Sequence, residues 1–183
     1  MKIYTKVGDE GFTQRVGERP VRKCDPVIDA IGAIDELNSL LGWCLRAAED
    51  ADAAEIRKAI ARAQRDLVTA GALLVAAGVP QQPKVDLDEQ SVEWMEQQID
   101  DASTQMPELK QFVLPGGCEL ACRLHMARTV CRRGERRLAA AIAVETRTPP
   151  IIMKYLNRLS DLLFALARLA NHQAGQAETR WEH

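Results

Sequence analysis

Residues 25–49 read DPVIDAIGAIDELNSLLGWCLRAAE, and the spacing inside this stretch decides the fold. Asp25 followed by Pro26 is a helix-start signal. A short acceptor side chain meets the first free N–H groups, and a proline with its φ already fixed takes the first helical position. Val27, Ile31, Ile34, Leu41, Leu45 and Ala48 then recur at steps of three, four or seven. That period gathers apolar side chains on one face of an α-helix, whereas a strand would send them to alternate faces.

The same pattern continues down the chain. Ile56, Ile60, Ala63, Leu67, Ala70, Leu74 and Ala77 mark a second helix from about residue 53, with Gly78 and Pro80 as its stop. Asp88 caps a shorter helix carrying Val92, Met95 and Ile99, and Pro107 and Pro115-Gly116-Gly117 punctuate a long loop. Two further helices are expected over about 118–144 and 150–174. Amphipathic helices with short connections bury their stripes against one another. The expected fold is therefore all-α: one domain spanning 1–183, with a five-helix antiparallel bundle over 26–174, a glycine-containing loop over 1–25 and a tail over 175–183.

Composition narrows the function classes. The chain is 46% hydrophobic and 27% charged, an ordinary globular mixture. With 24 basic and 26 acidic residues its net charge is -2, so no bulk charge favours nucleic acid or an anionic membrane as partner. The longest apolar run, residues 70–79, is about half of the roughly 20 residues that span a bilayer. Met1 to Lys6 lacks an apolar signal core, and the five cysteines read as free thiols, so a soluble cytoplasmic protein is expected.

Two regions could carry chemistry. The first 25 residues hold Gly8, Gly11 and Gly17 with six basic side chains and little apolar content, which fits either a frayed tail or a ligand loop. Thr5 to Thr13 offers hydroxyls, a lysine and glycines that could form an anion nest, without the spacing of a Walker P-loop. The fourth helix carries Arg123, Arg128, Arg132, Arg133, Arg136 and Arg137, of which 128, 132 and 136 share one face. Such a row is either a solvated basic face balanced by acids such as Asp35, Glu36 or Asp161, or a polyphosphate site using the planar guanidinium fork. Cys118, Cys122 and His125 fall on one helical face, as core fillers or as an incomplete metal site without a fourth ligand. Three histidines, two of them near the C-terminus, assemble no hydrolase triad.

Five blocks in order carry a resemblance: Lys2-Ile3-Tyr4-Thr5-Lys6-x-Gly8-Asp9-x-Gly11, Ile34-Asp35-Glu36-Leu37-Asn38, Phe112-Val113-Leu114-Pro115-Gly116-Gly117, Ala127-Arg128-Thr129-Val130-Cys131-Arg132-Arg133-x-Glu135-Arg136, and Tyr155-Leu156-Asn157-Arg158-Leu159-Ser160-Asp161. Together they resemble the PduO-type ATP:cob(I)alamin adenosyltransferases over nearly the whole chain. The resemblance implies a homotrimer of five-helix bundles with active sites between subunits. It also implies transfer of the 5′-deoxyadenosyl group of ATP to cob(I)alamin with release of triphosphate, and an adenosylcobalamin-dependent enzyme as possible acceptor.

By the same resemblance, ATP and its Mg²⁺ are contacted by Thr5, Lys6, Val7, Gly8, Asp9, Gly11, Thr13, Gln14, Lys23, Arg132, Arg133, Glu135, Arg136 and Asn157. Arg132 meets the leaving triphosphate, Arg128 pairs with Asp35 across a subunit boundary, and Phe112 lies under the corrin and keeps the lower axial position empty. No metal ligand is implied among the side chains. Because the nucleophile is the cobalt, no side-chain base is needed; the protein aligns the reactants and stabilises the departing charge. Val7, Gln14, Cys24, Ile31 and Ala33 depart from the family pattern, and Val7 has only its backbone N–H to offer a phosphate. Val7 and Gln14 favour a second reading, an ATP- or cobalamin-binding carrier or sensor of this fold with weakened turnover, which Asp35, Phe112, Arg128, Arg132 and Asn157 oppose.

Overall fold

A computed structural model of the chain describes residues 2, 4, 6–17, 19–77, 79, 83 and 87–181. Five helices follow in the expected order: α1 (Pro26–Asp50), α2 (Ala54–Val75), α3 (Glu89–Thr104), α4 (Glu119–Val144) and α5 (Pro150–Gln173). Asp25 caps α1 as its sequence requires, its Oδ1 accepting from the Val27 N–H at 2.9 Å, and Asp88 caps α3 by accepting from the Ser91 N–H at 3.0 Å. Gly78 and Pro80, the expected stop of α2, lie outside the described residues. α2 itself ends at Val75.

α1 packs on α2 and α4, α4 on α5, and α5 on α3 and α2. Along the α1–α4 seam Asp29 meets Arg137, Glu36 meets Arg133 and Trp43 meets Arg123, so these two helices are antiparallel. Short turns make α1–α2 and α4–α5 antiparallel as well. Glu89 meets Lys154 and Glu96 meets Arg158, so α3 ascends beside α5 in the same sense. The long segment 105–118 returns the chain before α4 begins.

All seven positions of the second apolar stripe are buried, six of them within α2 and Ala77 just beyond its end. On α1 the buried face is wider than the stripe, since Leu37 and Cys44 are also fully buried. Leu41, Ile56, Ile60, Leu67, Leu124, Leu138, Ile152 and Leu156 fill the centre. Each such side chain contributes roughly 1.5–3 kcal/mol relative to exposure. Tyr155 is buried among them because its hydroxyl donates to Asp66 Oδ2 at 3.1 Å.

Backbone pairing extends into the described residues on either side of the bundle. The N-terminal loop contains an antiparallel ribbon, β1 (Phe12–Thr13) with β2 (Val21–Arg22), pairing Phe12 with Arg22 and Thr13 with Val21. The expected tail folds back along residues 112–114. Leu114 N–H donates to Thr179 O at 2.8 Å, Trp181 N–H donates to Phe112 O at 2.9 Å, and Arg168 grips Glu178 at 2.8 and 3.2 Å.

Candidate active site

The N-terminal loop turns twice before the ribbon. Asp9 N–H donates to Lys6 O and Gly11 N–H to Gly8 O, both at 3.3 Å, and Lys23 N–H closes on Gly11 O at 2.9 Å. Gly11 has φ +81°, a region that glycine enters without a Cβ penalty. The Lys23 ammonium lies against the same turn, since a Cβ on Gly8 would be 3.0 Å from its Nζ. Backbone turns and a lysine thus share one small surface, which suits phosphate oxygens. Asp9, Gln14 and Val7 are exposed there, Thr13 is half-buried in the ribbon, and Thr5 lies outside the described residues.

The six arginines of α4 divide by partner. Arg123 pairs with Glu119 at 2.7 Å and stacks on Trp43, Arg133 pairs with Glu36, and Arg137 pairs with Asp29 at 3.1 Å. Those three are balanced by acids, whereas the balanced-face reading applies to the row Arg128, Arg132 and Arg136. Arg128, Arg132 and Arg136 have no acidic partner among the described residues, although Arg136 Nη1 donates to the Arg132 carbonyl at 3.0 Å. Arg128 is half-buried with its Nε unbonded, and burial, then the charge of Arg132, lowers its pKa.

The acids proposed as partners are placed differently from one another. Asp161 is taken by Arg158 on its own helix at 2.8 Å, and Asp35 is exposed on α1 with no ion pair to Arg128 within the chain. Asn157 on α5 donates to Glu135 Oε1 on α4 at 3.1 Å, bringing two resemblance-derived residues together beside Arg132 and Arg136.

Two clefts flank the unpartnered arginines. One, of ≈ 430 Å³, lies between the start of α1 and the second half of α4 and is lined by Cys24, Asp29, Arg133, Arg136 and Arg137. The other, of ≈ 520 Å³, opens between α3, α4 and α5, where Arg128, Arg132 and Asp161 face the apolar Ile99, Phe164 and Leu109. The first suits a polyanion. The second combines an apolar wall with guanidiniums, as a large organic ligand with a charged reacting end would need.

Phe112 is 81% exposed and touches Trp181 edge-on, with ring centroids 6.4 Å apart. A loop anchor would be buried, so this ring is displayed. Cys118, Cys122 and His125 do not converge: Cys122 is exposed, and His125 is buried against Phe164 with Nδ1 unbonded and its pKa lowered by burial, then by Arg128. Among the described residues no three His, Cys, Asp or Glu side chains could hold a metal ion. No helix there is long and apolar enough to cross a membrane.

Residues 3–170 match the family model of cobalamin adenosyltransferases. The chain is 40% identical over 178 residues to the corrinoid adenosyltransferase PduO of Salmonella typhimurium, covering 97% of this chain and 52% of that protein. It is 39% identical over 183 residues to the corrinoid adenosyltransferase of Bacillus subtilis, covering 100% of this chain and 93% of that one. The chain thus spans about half the length of the first relative and nearly all of the second. A phenylalanine-to-alanine variant of a PduO-type ATP:corrinoid adenosyltransferase from Lactobacillus reuteri, complexed with cobalamin and ATP, superposes with a TM-score of 0.92 at 33% identity over 100% of both chains. An arginine-to-lysine variant from the same organism, complexed with ATP, superposes with a TM-score of 0.91 at 33% identity, over 98% of this chain and 100% of that one. The chain belongs to the PduO-type corrinoid adenosyltransferases, the family whose reaction transfers an adenosyl group from ATP to cobalamin.

Proposed function

We propose that this chain transfers the 5′-deoxyadenosyl group of ATP to the cobalt of cob(I)alamin, releasing triphosphate, as a cytoplasmic homotrimer with its sites between subunits. The observation that carries the reading is the division of the arginines: three are ion-paired within the chain, and Arg128, Arg132 and Arg136 share one face with no ion pair among the described residues. Cob(I) attacks C5′ and the C–O bond to the triphosphate breaks, so negative charge accumulates on the departing oxygen. Arg132, beside the Asn157–Glu135 pair, would receive that charge, with Lys23 and the turns of the N-terminal loop holding the phosphates. Preset guanidiniums aimed at the leaving group lower the barrier because no solvent has to reorganise as the charge appears.

Mg²⁺ would arrive on ATP, whose phosphates supply much of its oxygen shell, as is usual for this ion in nucleotide sites. The trimer is supported by the unbonded Nε of half-buried Arg128 and by exposed Asp35, each without an ion pair among the described residues. The product would then pass to an adenosylcobalamin-dependent enzyme. The test is to mix the protein with ATP, Mg²⁺ and chemically reduced cobalamin and follow the corrinoid spectrum. Conversion to adenosylcobalamin with stoichiometric triphosphate is expected. Binding of both ligands without conversion would favour the carrier reading.

A further inference from the structure

Arg15 and Glu145 are far apart in sequence and are both 8% exposed, with Arg15 Nη2 donating to Glu145 Oε2 at 3.3 Å. Glu145 lies at the C-cap of α4, where the chain turns into α5, and it also accepts from Arg147: the backbone N–H at 3.2 Å, Nε at 3.0 Å and Nη2 at 3.2 Å. One carboxylate, fixed by the α4–α5 corner, therefore receives an arginine from the N-terminal loop. Hydrogen bonds from Arg147 first, and from Arg15 among the lesser causes, hold that carboxyl down at about 2, so Glu145 is a carboxylate at physiological pH.

The loop needs such an anchor. Its ribbon has two residues per strand, and Val7, Phe12 and Val16 are exposed, so apolar burial does little to order it. A lone two-stranded ribbon is marginal in water. Yet the turns from Lys6 to Gly11 and the Lys23 ammonium must be arranged before they can cradle phosphates. Arg15 leaves β1 two residues after Thr13 and enters the bundle from the same ribbon that carries those groups.

We infer that the Arg15–Glu145 ion pair latches the nucleotide loop to the α4–α5 corner, making Arg15 and Glu145 positioning residues for adenosyl transfer. The inference rests on the proposed reading of the loop as the ATP site. A loop latched before ATP arrives is populated in its binding-competent form. Releasing the latch lowers that population and weakens apparent ATP affinity in proportion, without touching the bond-making step.

The test uses Arg15→Gln, Glu145→Gln and Arg15→Lys in the full chain, with ATP titrated against saturating, pre-reduced cobalamin. Both glutamine variants should raise the KM for ATP about tenfold. Their kcat and their KM for cobalamin should stay within about twofold of the parent, and Arg15→Lys should recover part of the affinity. Hydrogen exchange over residues 6–16 without ATP should quicken in the glutamine variants and return to the parent rate at saturating ATP. Arg15→Gln leaves the Glu145–Arg147 bonds intact, so it stays informative even if Glu145→Gln loosens the corner. An unchanged KM for ATP, a fall in kcat at unchanged KM, or unaltered exchange in the loop would overturn the latch. A parent protein that forms no adenosylcobalamin would refute the proposed function instead, and the exchange comparison, which needs no turnover, would still decide the latch.

Discussion

Asn171 Oδ1 accepts a hydrogen bond from the backbone N–H of Cys118 at 2.9 Å, joining the end of α5 to the start of α4. Its Nδ2 donates to Gly116 O at 2.9 Å, so one buried amide satisfies two backbone groups of the segment that carries Phe112. Cys118 provides no side-chain cap, which makes Asn171 the capping group supplied from another helix. Gly117 sits at φ +113°, and a Cβ there would overlap the Asn171 amide. Asn171→Leu should destabilise the fold by about 2–3 kcal/mol, because two buried backbone groups lose their partners. Chemical denaturation measures the loss; a variant within error of the parent would show that water replaces the amide.

Among the described residues Arg132 has no acidic partner, while its neighbour Arg133 is paired with Glu36. Arg132→Lys keeps the charge and removes the planar fork, so turnover should fall by roughly 10²-fold at saturating ATP if the contact forms in the transition state. Arg133→Lys should cost far less, since its guanidinium is engaged within the chain. Equal losses at the two positions, read from steady-state rates, would contradict this division of the helix.

Asp35 and Arg128 should meet across a subunit boundary. Removing one leaves a half-buried charge without its counterion, a loss that can reach about 3–5 kcal/mol when the site is closed. Asp35→Ala should lower trimer stability and activity together. Asp35→Arg combined with Arg128→Asp should restore part of both. Sedimentation analysis alongside the rate assay checks the prediction, and a fully active monomer would refute it.

Helix number, order and most bounds were legible because period and caps are local properties, although α2 ends at Val75, short of the expected stop. Asp25-Pro26 and Asp88 announce their helices on the page, and the α2 stripe is buried in full. Periodicity sets Arg128, Arg132 and Arg136 on one face, but it could not say which arginines find acids within the chain. That depends on Glu36 and Asp29 approaching Arg133 and Arg137 from α1. Arg15 with Glu145 and Asn171 with Cys118 were also out of reach. Each is a contact between residues far apart in the chain, and neither partner stands in a pattern that announces the other. The C-terminal residues read as a tail because nothing in their composition foretells pairing with 112–114. The roles within the site came from resemblance and not from spacing.

The acid sensitivity of the fold should carry a signature of Glu145. Its carboxyl lies at about 2, below its ordinary 4.5, chiefly through hydrogen bonds from Arg147. A depressed carboxylate contributes stability that is complete above the ordinary value and is lost as pH falls from about 4.5 toward 2. The melting temperatures of the parent and of Glu145→Gln should therefore differ above pH 5 and converge through that window. A gap that stays constant down to about pH 2 would mean that the carboxylate charge is not what stabilises the corner.

Phe112 is the side chain whose exposure asks most for a ligand: it projects from the loop that Asn171 fixes, with its edge against Trp181. A phenyl ring is bulky, apolar and unable to coordinate cobalt, so beneath a corrin it would exclude both water and the cofactor's own base. A lower axial ligand raises the cobalt orbital that must accept the electron, and excluding it brings cob(I)alamin within reach of mild reductants. Phe112→Ala should therefore slow adenosylation most when the reaction starts from cob(II)alamin and a weak reductant. Supplying pre-reduced cob(I)alamin should remove most of the deficit. With ATP bound, the parent should show the spectrum of four-coordinate cob(II)alamin and the variant that of the five-coordinate form. Equal losses in the two assays, with the four-coordinate signal persisting in the variant, would reduce Phe112 to a packing partner of Trp181.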